Sequence, residues 1–256
     1  MFETLFSRTA PAASTDLPIE RVRYALQMRP LTVQAVEQLT PHIRRLRLHG
    51  PSLADFESRG FDDHVKLLGR DYTPRRFNRA ERTLEIDFCL HGDGPAASWA
   101  AQAKVGDALT VGGPRGSMLV PTDLAWQWLI GDESALPAIA RRLEELPASV
   151  AIRVVLETAS TDEALPPLAL GDNVQLLRVA RPAQGDAAAL AAPLVAAVRS
   201  LPTPSGRGHV FAAGEGRSIQ AVREVLVSQH GLAKGQIRAA AYWQRGRSGH
   251  HERLEG

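Results

Sequence analysis

Residues 70–99 read RDYTPRRFNRAERTLEIDFCLHGDGPAASW, and the fold of the first half of the chain turns on them. In the middle, Leu84, Ile86, Phe88 and Leu90 alternate with Glu85, Asp87, Cys89 and His91. That period of two marks a half-buried strand with one apolar face and one polar face. Ahead of it stand Arg70, Tyr72, Thr73 and Arg75, spaced Arg-x-Tyr-Thr-x-Arg. Behind it, Gly92 and Gly94 lead into a small-residue segment that reads as a short helix after Pro95. The set suits a ligand with a flat ring at one end and phosphates at the other. Guanidinium planes pair bidentately with phosphate oxygens, and a tyrosine covers a ring face while keeping a hydroxyl to bond. Glycines let backbone approach closely, and a helix start adds partial positive charge. The same residues equally suit a surface hairpin with solvated arginines, and spacing does not separate the two readings.

Toward the N-terminus, HVKLL (64–68) is a strand that runs almost directly into Arg70. Before it come HIRRLRLHG (42–50), a strand with a basic side, and LTVQAVEQLT (31–40), a first strand ended by Pro41. Residues up to Pro30, with Pro11 and Pro18 in a Ser/Thr/Ala-rich run, read as a loose arm. Toward the C-terminus, a turn at Gly106 and Asp107 precedes a strand through Val111 and then GGPRGS (112–117). Short strands punctuated by glycine and proline indicate an antiparallel barrel. GGPRGS lacks the Gly-Lys-Ser/Thr ending of a phosphate loop, so a nucleoside-triphosphatase is excluded and a structural turn is expected.

The pattern changes near Pro121. Strand and helix then alternate: WQWLIG, SALPAIARRLEEL, VAIRVVLET, VQLLRVA, DAAALAAPLVAAVRSL, RGHVFAAGE, SIQAVREVLVSQHG and QIRAAAYW. Ile219, Val222 and Leu226 form one helical stripe, and Gly231 supplies a stop. Alternating units imply a parallel sheet with ligands at the carboxyl ends of its strands. No Gly-x-Gly-x-x-Gly is present. Gly131, Asp132, Glu133 and Ser134 occupy one strand-to-helix crossing, and Ala213, Gly214 and Glu215 another. Taken alone, Asp132 or Ser134 reads first as a helix cap. Tyr242, Trp243, Arg245 and Arg247 follow the last strand, where packing aromatics and solvated arginines are the plain alternative.

With 256 residues the chain has length for two domains or one large one; its formal charge is only +2, and its Lys and Arg form no dense stripe of the kind a nucleic-acid binder shows. Cys89 is the single cysteine, so neither a disulfide nor a thiolate metal cage forms within the chain. The N-terminal stretch shows no secretory apolar core and no run reaches the length of a membrane span, so a cytoplasmic location is expected. His250, His251 and Glu252 read as a floppy tail rather than a metal site.

RDYTPRRF, LEIDFCLHGDGPAASWA and VGGPRGS resemble the FAD-binding domain of the siderophore-interacting proteins, a branch of the ferredoxin-reductase-like flavoproteins. The likeness continues in order through GDESALPAIARRLEELP, VFAAGEGRSIQAVREVL and AAAYWQRGR. It implies a six-stranded antiparallel β-barrel FAD domain (31–121) after an arm (1–30), then a Rossmann-like parallel α/β NAD(P)H domain (122–256). It implies FAD contacts from Arg70, Tyr72, Thr73, Arg75, Asp87, Phe88, His91, Gly94, Pro95, Ala96, Ser98 and Trp99. By the same resemblance, Gly131, Asp132, Glu133, Ser134, Ala213, Gly214 and Glu215 meet NADH or NADPH. Lys66, Tyr242, Trp243, Arg245 and Arg247 face an anionic ferric chelate. Arg153, Arg178 and Arg181 are further candidates for a ribose phosphate. Many relatives hold a longer loop between the strand at 64–68 and Arg70. The implied activity is NAD(P)H-dependent ferric-siderophore reduction by a cytoplasmic monomer, with no resident metal; a general flavin or ferredoxin-type reductase and a non-redox siderophore carrier stand as alternatives.

Overall fold

The computed structural model describes residues 17–90, 94–246 and 252–253. The first half holds β1 (Glu20–Arg23), β2 (Met28–Thr40), β3 (Ile43–His49), β4 (Val65–Leu67) and β5 (Arg70–Tyr72). After these come β6 (Arg76–Asn78), β7 (Thr83–Cys89), helix α1 (Pro95–Gln102), β8 (Ala108–Gly112) and β9 (Gly116–Leu119). Seven strands form one antiparallel sheet in the order β5-β4-β8-β2-β3-β7-β6, while β1 and β9 pair as a separate ribbon. The expected antiparallel first domain is therefore present. Its sheet counts seven strands where the resemblance implied six, and its two edges are the three-residue strands β5 and β6. Residues 1–16 of the expected arm lie outside the described residues. The following stretch is tied down through β1, and β2 already begins at Met28.

The apolar side of the sheet is the first core. Leu84, Ile86 and Phe88 of β7 are fully buried with Leu46, Leu48, Leu31, Val33, Leu109 and Val111. Each such side chain contributes roughly 1.5–3 kcal/mol. The polar side of β7 is buried as well, and β3 supplies its partners. Arg45 lies opposite Asp87 and Arg47 opposite Glu85 in the strand register. Arg45 donates to both Asp87 oxygens at 2.6 and 2.8 Å, and Arg47 donates twice to Glu85 at 3.0 and 2.7 Å. The basic side read in residues 42–50 is thus a cross-strand ion-pair ladder.

The second half holds β10 (Trp126–Gly131), α2 (Leu136–Glu145), β11 (Ala151–Thr158), β12 (Val174–Ala180), α3 (Ala187–Arg199), β13 (Gly208–Glu215), α4 (Gly216–Ser228), β14 (Ile237–Trp243) and β15 (Glu252–Arg253). The order is β12-β11-β10-β13-β14-β15, with the first five strands parallel. Asp186 caps α3 and Glu215 caps α4 through their side-chain oxygens. Ile219, Val222 and Leu226 are buried as the stripe demands, and Gly231 takes a left-handed φ of 63° past the helix end. Part of the tail expected to be loose is structured: β15 pairs with Ala240 and Ala241 on the open edge of β14. His250 and His251 lie outside the described residues.

One hydrophobic cluster crosses the junction, joining Ile43, Phe61, Met118 and Val120 to Leu129, Leu136, Ile139 and Phe211. Phe61 meets Phe211 edge-on at 5.1 Å. Arg142 of α2 is buried over the Phe61 ring at 5.0 Å and donates to the Val120 and Pro121 carbonyls at 3.2 and 2.5 Å. Asp62 binds Arg238 of β14 at 2.9 Å. The two halves are packed as a unit, which fixes what each presents to the other.

Candidate functional site

Leu68 and Gly69 join β4 to β5 with φ of 49° and 76°, the two-residue hairpin geometry that favours positive φ at both positions. This tight turn stands where a longer loop is expected in relatives, and it delivers Arg70 and Tyr72 to the sheet edge. The Tyr72 ring lies 4.6 Å from Phe88, which lies 6.1 Å from Trp99, so three of the residues expected at the flavin form one aromatic row. Phe88 is fully buried and backs the row from the core. Burial pushes the Tyr72 phenol up to about 12, so it stays a neutral donor at physiological pH. Arg70 is partly exposed and makes no ion pair among the described residues, whereas its neighbour Asp71 is bound by Lys66 at 3.0 Å. Thr73 is buried near Tyr242 of β14, where its hydroxyl opposes the rise that burial gives the Tyr242 phenol.

Gly94 is the N-cap of α1, with no side-chain cap, Pro95 in the first turn and open space where a Cβ would sit. Among the described residues no side chain caps the first amides of this helix, which suits an anion-receiving helix start. Ala96 is buried beneath the helix and Ser98 is exposed on it; His91 lies outside the described residues. Partly exposed Arg70, the Tyr72 ring and the uncapped α1 start fit a ring-plus-diphosphate cofactor. Arg75 and Asp87, both expected at the flavin, have carboxylate and guanidinium partners within the protein. Asp87 is held by Arg45, and Arg75, only 2 % exposed, gives both terminal nitrogens to Glu144 of α2. Cys89 is turned to the second domain, its sulfur 3.3 Å from the Glu133 carbonyl.

The second set sits at the carboxyl ends of β10 and β13, where the strand order reverses direction, the usual ligand position of such sheets. Gly131 abuts the Ala213 carbonyl, which an added Cβ would meet at 2.5 Å. Gly214, at φ 152°, lets the chain pass against Asp132. Asp132 is buried and acts as a hub: it accepts from the Ser134 amide at 2.9 Å, the Glu215 amide at 3.0 Å and the Trp243 indole at 2.8 Å. The capping alternative for Asp132 is therefore real, and it coexists with the gathering of all three segments. Glu215 in turn caps α4 and accepts from the Arg245 amide at 3.3 Å.

The negative charge of this set has a counterion that the spacing did not place. Arg181, just past β12, binds Glu133 at 2.6 Å and Glu157 at 2.8 Å, lies 3.9 Å from Asp132, and stacks over the Trp243 ring at 5.7 Å. Burial alone would lower the guanidinium's pKa, but Asp132 and Glu133 raise it overall. Burial likewise raises Asp132 and Glu157 against the pull of Arg181. One oxygen each of Glu133 and Glu157 is buried without a hydrogen-bond partner among the described residues. The other two arginines considered for a ribose phosphate are also engaged, Arg153 with Gln175 and Arg178 with the carbonyls of Ser160 and Glu163. Lys66 is exposed on β4, and among the described residues no bond ties it to Tyr242, Trp243 or Arg245; Arg247 lies outside them.

Against known families, residues 124–246 match the siderophore-interacting protein model, and residues 32–69 and 67–118 match the siderophore-interacting FAD-binding domain. An NADPH-dependent ferric-chelate reductase of Escherichia coli (strain K12) is 35% identical over 88% of this chain and 96% of its own length. The chain belongs to the siderophore-interacting protein family. The ferric vibriobactin reductase ViuB of Vibrio cholerae is 34% identical, covering 72% of this chain and 67% of that one. The crystal structure of a siderophore utilization protein from T. fusca superposes with a TM-score of 0.80 at 32% identity, covering 90% of this chain and 98% of that one. No helix among the described residues of this siderophore-interacting protein is long and apolar enough to cross a membrane.

Proposed function

We propose that this protein is an NAD(P)H-dependent, FAD-containing reductase that releases Fe(II) from ferric siderophores for iron acquisition. The observation that carries the reading is the meeting of two sets at one domain junction. Thr73 of the first domain lies near Tyr242 of β14, and β14 reaches the Asp132 hub through Trp243. When bound, FAD supplies the exchange between a two-electron nicotinamide donor and a ferric acceptor that takes one electron. The chain's part is to hold and to tune. Arg70 and the α1 start receive the diphosphate, Tyr72 and Trp99 border the ring, and Thr73 offers a hydroxyl at its edge. Gly131, Gly214 and the amides near Asp132 admit the nicotinamide nucleotide, with Arg181 offsetting the carboxylates there.

Tyr242, Trp243 and the cations Lys66, Arg245 and Arg247 form the rim toward the anionic chelate. The barrel domain is residues 31–121, after an arm at 1–30, and the nucleotide domain is residues 122–256. The enzyme acts as a cytoplasmic monomer. The test is anaerobic mixing of purified protein with NADPH and then a ferric siderophore, with a chromogenic Fe(II) chelator present. Bleaching of a flavin band, its return on adding the siderophore, and Fe(II) capture are expected. A colourless protein that binds the siderophore without turnover would establish the carrier reading instead.

A further inference from the structure

Two consecutive residues soon after β5, Pro74 and Arg75, are gripped from across the domain junction. The Pro74 carbonyl accepts from Arg141 Nη1 at 3.1 Å, and the Arg75 guanidinium binds Glu144 at 3.0 and 2.5 Å. Arg141 is itself fixed: it donates to the Ser58 hydroxyl at 2.9 Å and carbonyl at 2.7 Å, and to Glu145 at 3.0 Å. Glu144 also receives Arg76 at 2.7 Å. The first domain answers with a main-chain bond from the Arg75 amide to the Glu85 carbonyl at 2.9 Å. Arg141 and Glu144 both lie on α2, whose other end runs directly into the turn Glu133–Ala135 beneath Asp132. A ten-residue helix is about 15 Å of stiff rod.

We infer that α2 is a positioning rod between the two cofactor segments, with Arg141 and Glu144 setting where residues 72–75 stand relative to residues 132–134. The inference rests on the reading that the first segment meets flavin and the second the nicotinamide nucleotide. Neither Arg141 nor Glu144 is a catalytic residue; each acts through Pro74 and Arg75. The grip is polar and specific at its buried end, since Arg75 is 2 % exposed and Glu144 is its carboxylate partner. The outer end opens on a cleft of about 740 Å³, lined by Arg76, Arg79 and Glu145, where water competes.

The experiment compares Glu144→Gln and Arg141→Ala with Arg79→Gln, an exposed cleft residue, as control. Read out are FAD affinity of the apoprotein, the visible flavin spectrum, and the rate of flavin reduction against KM for NADPH. Expected are a cooperative fold, a displaced flavin band, and a rate lower by roughly ten- to a hundredfold with a smaller change in KM, the penalty of a misplacement near 1 Å. Arg79→Gln should match wild type. Folded variants indistinguishable from wild type in spectrum and rate would overturn the inference alone; a wild type that takes up no FAD would overturn the functional reading and this inference together. Should either variant fail to fold, hydrogen exchange in wild-type apoprotein decides. Adding NADP⁺ should slow the Thr73 and Arg75 amides severalfold, and no slowing would overturn the inference.

Discussion

Replacing Gly214 by alanine places a methyl group 2.6 Å from Asp132 Oδ2 and 2.9 Å from its carboxyl carbon, at a backbone φ of 152°. Ordinary contact begins at 3.4 Å, so the carboxylate must retreat by roughly 0.8 Å (3.4 − 2.6). That oxygen accepts both the Glu215 amide and the Trp243 indole, at 3.0 and 2.8 Å, and it cannot withdraw without weakening one of them. Overpacking costs about 1–3 kcal/mol and a lost hydrogen bond about 1 kcal/mol more, so a destabilisation of ~2–4 kcal/mol is expected. Because the same hub shapes the nucleotide segment, KM for NADPH should rise about tenfold or more by a loss of roughly 1.4 kcal/mol in binding. Urea unfolding gives the first quantity and steady-state kinetics the second. A Gly214→Ala protein within 0.5 kcal/mol of wild type by unfolding and with unchanged KM would refute the reasoning that Asp132 and Gly214 form one packed unit at the cofactor.

Asp63 offers a pH test: it accepts from Ser117, Ser58 and the Gly60 amide, yet burial pushes its carboxyl up to about 6 from 3.8. A raised carboxyl favours the protonated native state, so its contribution is full below pH 4, declines between pH 4 and 6 by on the order of 3 kcal/mol, and is level above. Asp63→Asn should flatten that decline in unfolding titrations, and an unchanged slope would contradict the assignment. Cys89 should react with a thiol reagent at pH 8 far more slowly in the native protein than in urea, because burial and the nearby Asp132 carboxylate push its thiol up. Equal rates would show that the sulfur does not sit against Glu133.

The alternation in residues 84–90 made the strand and its apolar core legible, because a period of two survives whatever the strand pairs with. The 3.6-residue stripe of Ile219, Val222 and Leu226 did the same for α4. The edge strands Arg70–Tyr72 and Arg76–Asn78 have too few residues to carry a period, so neither was legible as a strand. Partner choice was the part that did not show. Arg75 could turn to a phosphate or to a carboxylate, and the carboxylate chosen, Glu144, is 69 positions away. Asp87 and Arg45 meet only through strand register. Arg181 was visible as a basic residue past a strand, but nothing local tells that Glu133 and Glu157 converge on it. The glycines at 131 and 214 were more informative, since close approach at a strand crossing has a physical signature in one residue.

The most direct measurement is a titration of the apoprotein with FAD, followed by flavin fluorescence, in wild type and in Arg70→Ala. The account predicts near-stoichiometric quenching by wild type and an affinity about ten- to a hundredfold weaker in the variant, the loss of a charged hydrogen bond worth ~1.5–3 kcal/mol, with the unfolding curve unmoved. Free-flavin fluorescence that persists with wild type, or identical binding by the two proteins, would contradict it.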